Sequence, residues 1–242
     1  MMNGKKIIVI LPAYNEQGKI SNVVRKVKTQ IAAGIVDECL VVNDGSTDAT
    51  AAEAEKEGAT LISKENAGVG SAIRSGLGYA SDKNYDIAVI MAGDDQDDPS
   101  EIRGVVSPIA EGNRDFVQGS RRIDGGRVVN MPLFRSVTTK IYSYIFKFTT
   151  GFPCTDGTNG FRAIKLSVLK NKKINLAQKW LDTYELEPYL FYKVVALGYN
   201  VSEAPVTKRY HKGIVGYTKM VPVKDWWNIL KPLVYLKIGL KK

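Results

Sequence analysis

Between residues 7 and 110, short apolar runs alternate with stretches whose apolar residues recur at helical spacing. No other feature of the chain constrains its fold as strongly. Ile7 to Leu11, Cys39 to Val42, Thr60 to Ile62 and Ile87 to Met91 read as strands. Glu16 to Ala33 reads as a helix, with Ile20, Val23, Val24, Val27 and Ile31 on one face. Further helices are predicted after Asp48, over Gly68 to Ala80 and over Pro99 to Ala110. Strand-helix alternation of this kind implies an α/β protein with a doubly wound, mostly parallel sheet. Such sheets bind ligands outside the carboxyl ends of their strands. Pro12 to Glu16, Asp44 to Asp48 and Asp94 to Asp98 all fall at such ends, so they are expected to meet in one crevice.

The third of these segments carries an unusual charge density. In Asp94-Asp95-Gln96-Asp97-Asp98, four carboxylates occupy five positions directly after a buried strand. Like charges this close repel one another unless a cation compensates them. Carboxylate and amide oxygens are hard ligands, suited to Mg²⁺ or Mn²⁺ and, through the metal, to a diphosphate. A solvated acidic turn capping the helix near Pro99 is the plain alternative. At the second segment, Ser46, Thr47 and Asp48 can cap the Ala-rich helix that follows. That leaves Asp44 for a ligand. The glycines of Gly68-Val69-Gly70 do not form a dinucleotide fingerprint after the first strand; they permit close packing or touch a donor.

The second half reads differently. Phe116 to Gly119 is a strand leading into Ser120-Arg121-Arg122, and an arginine fork suits a phosphate. A helix is predicted over 133–149, with Phe134, Val137, Ile141, Ile145 and Phe148 on one face. Gly151 to Gly160 is a loop, Glu185 to Leu197 a helix ended by Gly198, and Tyr199 to Ala204 a strand. Val206 to Thr218 is a basic loop. Val223 to Leu240 reads as an amphipathic helix with Trp226, Trp227 and several lysines, kinked at Pro232. A single catalytic domain over 1–220 is expected, with a nucleotide-binding half (1–112) and an acceptor half (113–220), followed by a basic amphipathic helix over 221–242.

Four linked motifs resemble glycosyltransferase family 2, the GT-A fold. They are Leu11-Pro12-Ala13-Tyr14-Asn15-Glu16, Val42-Asn43-Asp44-Gly45-Ser46-Thr47-Asp48, Asn66-Ala67-Gly68-Val69-Gly70-Ser71-Ala72 and the acidic run. Three segments of the second half look like its polyprenyl-phosphate (dolichol-phosphate mannosyltransferase-like) branch: Gly119-Ser120-Arg121, Asp156 to Arg162 and Gly216-Tyr217-Thr218-Lys219. The resemblance implies an inverting transfer from a nucleotide-diphosphate sugar to a polyprenyl phosphate. Two alternatives remain, a saccharide acceptor and a non-catalytic nucleotide-sugar-binding module. By resemblance, Pro12, Ala13, Tyr14, Asn15 and Glu16 surround the nucleobase and ribose, Asp44 accepts from the base, and Gly70 lies near the donor. Asp94 and Gln96 correspond to ligands of the divalent cation. Arg121, Arg122, Arg162, Arg209 and Lys219 are the expected phosphate contacts, and Arg122 is counted with Asp94, Glu185 and Glu187 as catalytic. Glu185 or Glu187 would be the base if the acceptor were a sugar hydroxyl. The pattern departs at Ala92, where the family usually carries an aspartate, so the metal site is one ligand short or rebuilt with Asp95 or Asp97. It departs also at Val69, where many relatives are basic.

Charge narrows the partners. The net charge is +9, and from Pro205 onward nine Lys or Arg face one acid, Asp225. A basic tail suits an anionic membrane surface or a phosphorylated ligand. Nucleic acid is not expected, because the interleaved aromatic platform of single-strand binders is missing. A second copy of the chain stays open as a partner. Cys39 and Cys154 have no metal or disulfide spacing, so reduced thiols are expected. His211, the lone histidine, sits among basic residues and is not expected to hold a metal. With no leader or spanning stretch expected, the predicted location is cytoplasmic, peripheral on the cytoplasmic face of the membrane.

Overall fold

The computed structural model describes residues 1–210 and 224–241. Its first half is the predicted alternation: β1 (Ile7–Ala13), α1 (Ile20–Ala32), β2 (Glu38–Asp44), α2 (Thr50–Lys56), β3 (Thr60–Lys64), α3 (Val69–Asp82), β4 (Ile87–Ile90) and α4 (Ile102–Ala110). A 3₁₀ turn, Pro99–Glu101, precedes α4. The second half holds β5 (Phe116–Ser120), β6 (Arg127–Val129), α5 (Leu133–Thr150), β7 (Arg162–Lys165), α6 (Leu186–Ala196), β8 (Val201–Pro205), β9 (Thr207–Arg209) and α7 (Lys224–Lys237).

Seven strands form one sheet in the order β3-β2-β1-β4-β7-β5-β8. The strands of the first half pair in parallel, with Val9 opposite both Cys39 and Val89. Central strands buried on both faces read as unbroken apolar runs, and β1 does so because helices cover it above and below. Ile7, Val9 and Leu11 point into the core beneath α1 and α4, while Ile8 and Ile10 point into the core beneath α3 and α6.

One strand of this sheet escapes a periodicity reading. β7 runs antiparallel between β4 and β5, with Arg162 opposite both Ile90 and Gln118. It is four residues long with a cation at each end, so it carries no apolar signature. The small parallel pair β6-β9 carries no apolar signature either, and β9 falls in the stretch expected to be a basic loop. An isolated bridge joins Asp97 to Lys208, and the Arg209 amide donates to the Gln96 carbonyl at 2.8 Å. β9 thus staples the acidic run to the second half.

Helix α5 faces the opposite way from its strongest apolar stripe. Thr139, Tyr142, Ser143 and Phe146 are buried, and Phe146 stacks on Phe191 at 4.2 Å. Phe134, Val137, Ile141 and Phe148 are exposed, as are Leu133 and Tyr144. The C-terminal helix spans Lys224–Lys237 and packs Leu233 into the core against α6 and α5, with Pro232 inside it. Among the described residues, no helix is long and apolar enough to cross a membrane.

Candidate active site

The carboxyl ends of β1, β2 and β4 converge on a cleft of about 780 Å³. Pro12, Ala13, Tyr14 and Glu16 line one wall, Asp44 and Asn66 stand beside them, and Ala92, Asp94 and Gln96 form the floor. The three segments picked out at strand ends therefore do meet. Asn15 shapes this wall from behind. Its positive φ of 51° turns the chain, its amide donates to Ser46 Oγ at 2.9 Å, and its Oδ1 accepts from the Thr47 amide at 2.9 Å.

Asp44 is almost fully buried. Its carboxylate accepts from Lys64 Nζ at 2.6 Å and from the amides of Ala67 and Gly68 at 3.2 and 2.8 Å. It thereby fixes the turn that carries Asn66 into the cleft. Gly45, at φ 72°, lets the two turns touch, since a Cβ there would stand 2.6 Å from the Asn66 amide nitrogen. Capping of α2 falls to Asp48, which accepts from the Thr50 amide at 3.0 Å.

The acidic run divides its four carboxylates by direction. Asp94 faces the cleft, and its Oδ1 accepts from the Gln96 amide at 3.1 Å. Asp95, at φ 57°, turns outward to Asn22 and Lys26 of α1, at 2.5 and 2.8 Å. That removes it as a substitute ligand. Asp98 caps the 3₁₀ turn through the Ser100 amide and hydroxyl, at 3.1 and 2.7 Å. Burial pushes its carboxyl up, but Ser100 and Arg209 hold it below the ordinary carboxylate range. Asp97 is buried against the Ala92 amide, which donates to its Oδ2 at 3.3 Å, while Lys208 Nζ lies 2.9 Å from its Oδ1. Burial pushes the Asp97 carboxyl up, and Asp94 adds to this against the pull of Lys208. Among the described residues, no three His, Cys, Asp or Glu stand close enough to hold a metal. Asp94 and Gln96 nevertheless fit a Mg²⁺ or Mn²⁺ ion, which typically takes one or two protein oxygens and completes its shell with phosphate and water.

The expected phosphate contacts separate. Arg121 lines the cleft, but its guanidinium is a buried fork on Asp156, with Nε to Oδ2 and Nη2 to Oδ1 both at 2.5 Å. Its Nη1 donates to Tyr210 Oη at 2.7 Å. Burial would lower its basicity, and Asp156 more than reverses this, so Arg121 is a permanent cation. Arg122 turns to α5, donating to the Ser136 carbonyl at 3.0 Å and to Thr139 Oγ1 at 2.6 Å. Arg162 is buried under the sheet on Glu187 Oε1, at 3.0 Å, and on the Asn159 carbonyl. Arg209 lies outside the cleft lining, 3.7 Å from Asp98. Lys219, His211, the Gly216 to Lys219 motif and most of the basic loop lie outside the described residues.

Three expectations need correcting. Gly70 is not at the donor: it is buried where a Cβ would collide with the carbonyls of Leu181 and Thr183, so it serves close packing. Glu185 and Glu187 do not line the cleft either. Glu185 is closed into an ion pair with Lys231 and accepts from Thr183 Oγ1 at 2.5 Å. Glu187 is held by Arg162, so both carboxylates are engaged by a cation. In turn, Lys208, Arg135, Tyr184 and Tyr210 line the cleft without having been singled out. Arg135 stacks over the Tyr210 ring at 5.4 Å. Only the excess of basic residues after Pro205 hinted at Lys208; for the others the sequence carries no local signal.

The cleft changes character along its length. Beyond the carboxylates and Arg121 it opens between α5 and α7, where Phe134, Ile141, Ile145, Trp226, Ile229 and Leu230 line it. Phe134 and Trp226 stack at 4.7 Å across this mouth. A polar floor with an apolar mouth accommodates a ligand whose charged head carries an apolar tail.

Residues 8–171 match the model of the family described as glycosyl transferase family 2. The chain is 32% identical to a UDP-N-acetylglucosamine–dolichyl-phosphate N-acetylglucosaminyltransferase of Methanococcus voltae, across 98% of both chains. It is 29% identical to a polyprenol monophosphomannose synthase of Mycolicibacterium smegmatis, across 89% of this chain and 81% of that protein. Among solved structures, it resembles glucosyl-3-phosphoglycerate synthase from Mycobacterium tuberculosis in complex with Mn²⁺, uridine-diphosphate and phosphoglyceric acid. The TM-score is 0.71 at 19% identity, over 99% of this chain and 80% of that one. That likeness is one of fold, the GT-A fold.

Proposed function

The chain belongs to glycosyl transferase family 2, and on that premise we propose that it moves a sugar from a nucleotide-diphosphate sugar to a polyprenyl phosphate at a membrane surface. The observation that carries this reading is the cleft itself, polar at the strand ends and apolar at its mouth. The relatives from Methanococcus voltae and Mycolicibacterium smegmatis, named for dolichyl-phosphate and polyprenol substrates, support the same acceptor class.

In this reading Pro12 to Glu16 and the turn fixed by Asp44 receive the nucleoside, and Asp94 with Gln96 would hold a divalent cation. The cation, Mg²⁺ or Mn²⁺, supplies Lewis-acid stabilisation of the leaving group. A phosphate oxygen of the lipid attacks the anomeric carbon as the bond to the nucleoside diphosphate breaks, and the bonding pair leaves with the diphosphate. A phosphate monoester has its second pKa near 6, so this nucleophile needs no protein base near neutral pH. The enclosed ion pairs of Glu185 and Glu187 fit that requirement. Arg121, fixed by Asp156, faces the site as a preorganised cation, and residues 113–220 form the acceptor half.

The exposed apolar residues of α5 border the mouth, with Arg135, Lys140 and Lys147 on the same helix and no acid. An apolar surface edged by cations suits the interface of an anionic bilayer. A location on the cytoplasmic face would place the enzyme beside its nucleotide sugar. The proposal is tested by incubating the full chain with labelled nucleotide sugars and undecaprenyl or dolichyl phosphate in vesicles. Label extracted with the lipid is expected from one donor. Label in a water-soluble saccharide would instead indicate a sugar acceptor, and nucleotide-sugar binding without transfer a non-catalytic module.

A further inference from the structure

The Asp97–Lys208 pair lies against the backbone of position 92, beneath the cleft floor. Ala92 has no side chain to offer a metal, yet its amide donates to Asp97 Oδ2 at 3.3 Å, so a carboxylate does lie beside position 92. Lys208 reaches it from β9, on the far side of the sequence, with Nζ 2.9 Å from Oδ1. Lys208 Nζ is the partner that compensates the buried Asp97 Oδ1. The side chains are 11% and 1% exposed, and the small exposed part of Lys208 lines the cleft.

We propose that Lys208 is a resident cation of the donor site, anchored by buried Asp97 beside Asp94, so that a divalent metal is held only together with a nucleotide diphosphate. The inference rests on the donor-site reading above. Its logic is one of charge. Two carboxylates on a cleft floor carry −2 and attract a free divalent ion. Lys208 offsets one of these charges, and the ammonium repels a metal approaching Asp94. The same ammonium attracts a diphosphate, whose oxygens then supply the missing metal ligands. Metal and nucleotide therefore bind with positive coupling, each raising the affinity of the other by the same factor.

The test is a titration of the full chain with Mn²⁺ followed by electron paramagnetic resonance, with and without UDP or GDP, and calorimetry of each nucleotide with and without Mn²⁺. Wild type is expected to bind Mn²⁺ alone weakly and the metal with the cognate nucleotide at least about tenfold more tightly. Lys208→Met is expected to move the two affinities in opposite directions: free Mn²⁺ binds about tenfold more tightly, and metal-free nucleotide about tenfold more weakly. Asp97→Asn is expected to do the reverse. Loss of both affinities together, or no change in either, would overturn the assignment and leave the pair a purely structural staple. Where a single variant melts early, the double variant Lys208→Met/Asp97→Asn keeps the net charge and strands no ion. It is expected to hold free Mn²⁺ as wild type does while losing metal-free nucleotide affinity; unchanged nucleotide affinity there counts against Lys208. If no nucleotide binds to any of the proteins, the functional reading fails, while the free-Mn²⁺ arm still decides the role of the lysine.

Discussion

Asp94 is the one acid of its run that faces the cleft, and its neighbours explain why. Asp95 is turned to α1, Asp97 to Lys208 and Asp98 to the turn before α4. On its proposed role as the charged metal ligand, Asp94→Asn is expected to lower turnover at least ~100-fold while leaving the melting temperature nearly unchanged. Asp44→Ala is expected to act on both: three donors lose their acceptor, which costs about 2 kcal/mol of stability, and nucleotide affinity falls as the Asn66 turn loosens. Chemical denaturation with nucleotide calorimetry separates the two effects. At this scale the sequence was a good guide to position and a poor one to direction. Spacing placed Asp44 and Asp94 at strand ends, where parallel sheets bind ligands. It could not show that Arg162 and Glu187 satisfy one another, because their meeting depends on β7, which is too short and too charged to be read as a strand.

Helix α5 shows how an element can be predicted correctly while its orientation is not. The helix over 133–149 is present, but its apolar stripe is divided between the cleft mouth and the outer surface, and the core takes Tyr142 and Phe146 instead. Periodicity reports that an apolar face exists and not what covers it. If a bilayer covers it, Leu133→Ser/Tyr144→Ser/Phe148→Ser should weaken co-sedimentation with anionic vesicles about tenfold or more, without altering nucleotide binding. Unchanged sedimentation would remove the membrane from this face. A second element-scale prediction concerns the seam between β2 and α3. Burial pushes the Glu38 carboxyl up, but hydrogen bonds from Tyr85, Thr60 and Tyr79 hold it below the ordinary carboxylate range. A lowered folded-state pKa contributes stability above the unfolded value and loses it as pH falls through the folded one. The stability gap between wild type and Glu38→Gln, read by urea melts, is thus expected at pH 7 and should close as pH falls below ~4. At the other end of α3, Gly70→Ala should cost ~1–3 kcal/mol through overpacking against Leu181 and Thr183.

On the scale of the whole molecule, the sheet delivers the donor groups from β1, β2 and β4, and β9 ties that floor to the second half through Lys208. α5 and α7 then form an apolar gate on the same cleft. The delivery from β1, β2 and β4 was legible because strand-helix alternation and parallel pairing follow from local periodicity. The β9 staple and the α5–α7 mouth were not, because β9 is short and charged and the mouth depends on which face each helix presents once packed. The proposed reaction requires a lipid phosphate as acceptor, and mass spectrometry of the lipid fraction tests that requirement. After incubation with the accepted nucleotide sugar and a polyprenyl phosphate, the lipid should gain the mass of one sugar residue, in an amount equal to the nucleoside diphosphate released. An unmodified lipid fraction alongside released nucleoside diphosphate would contradict it.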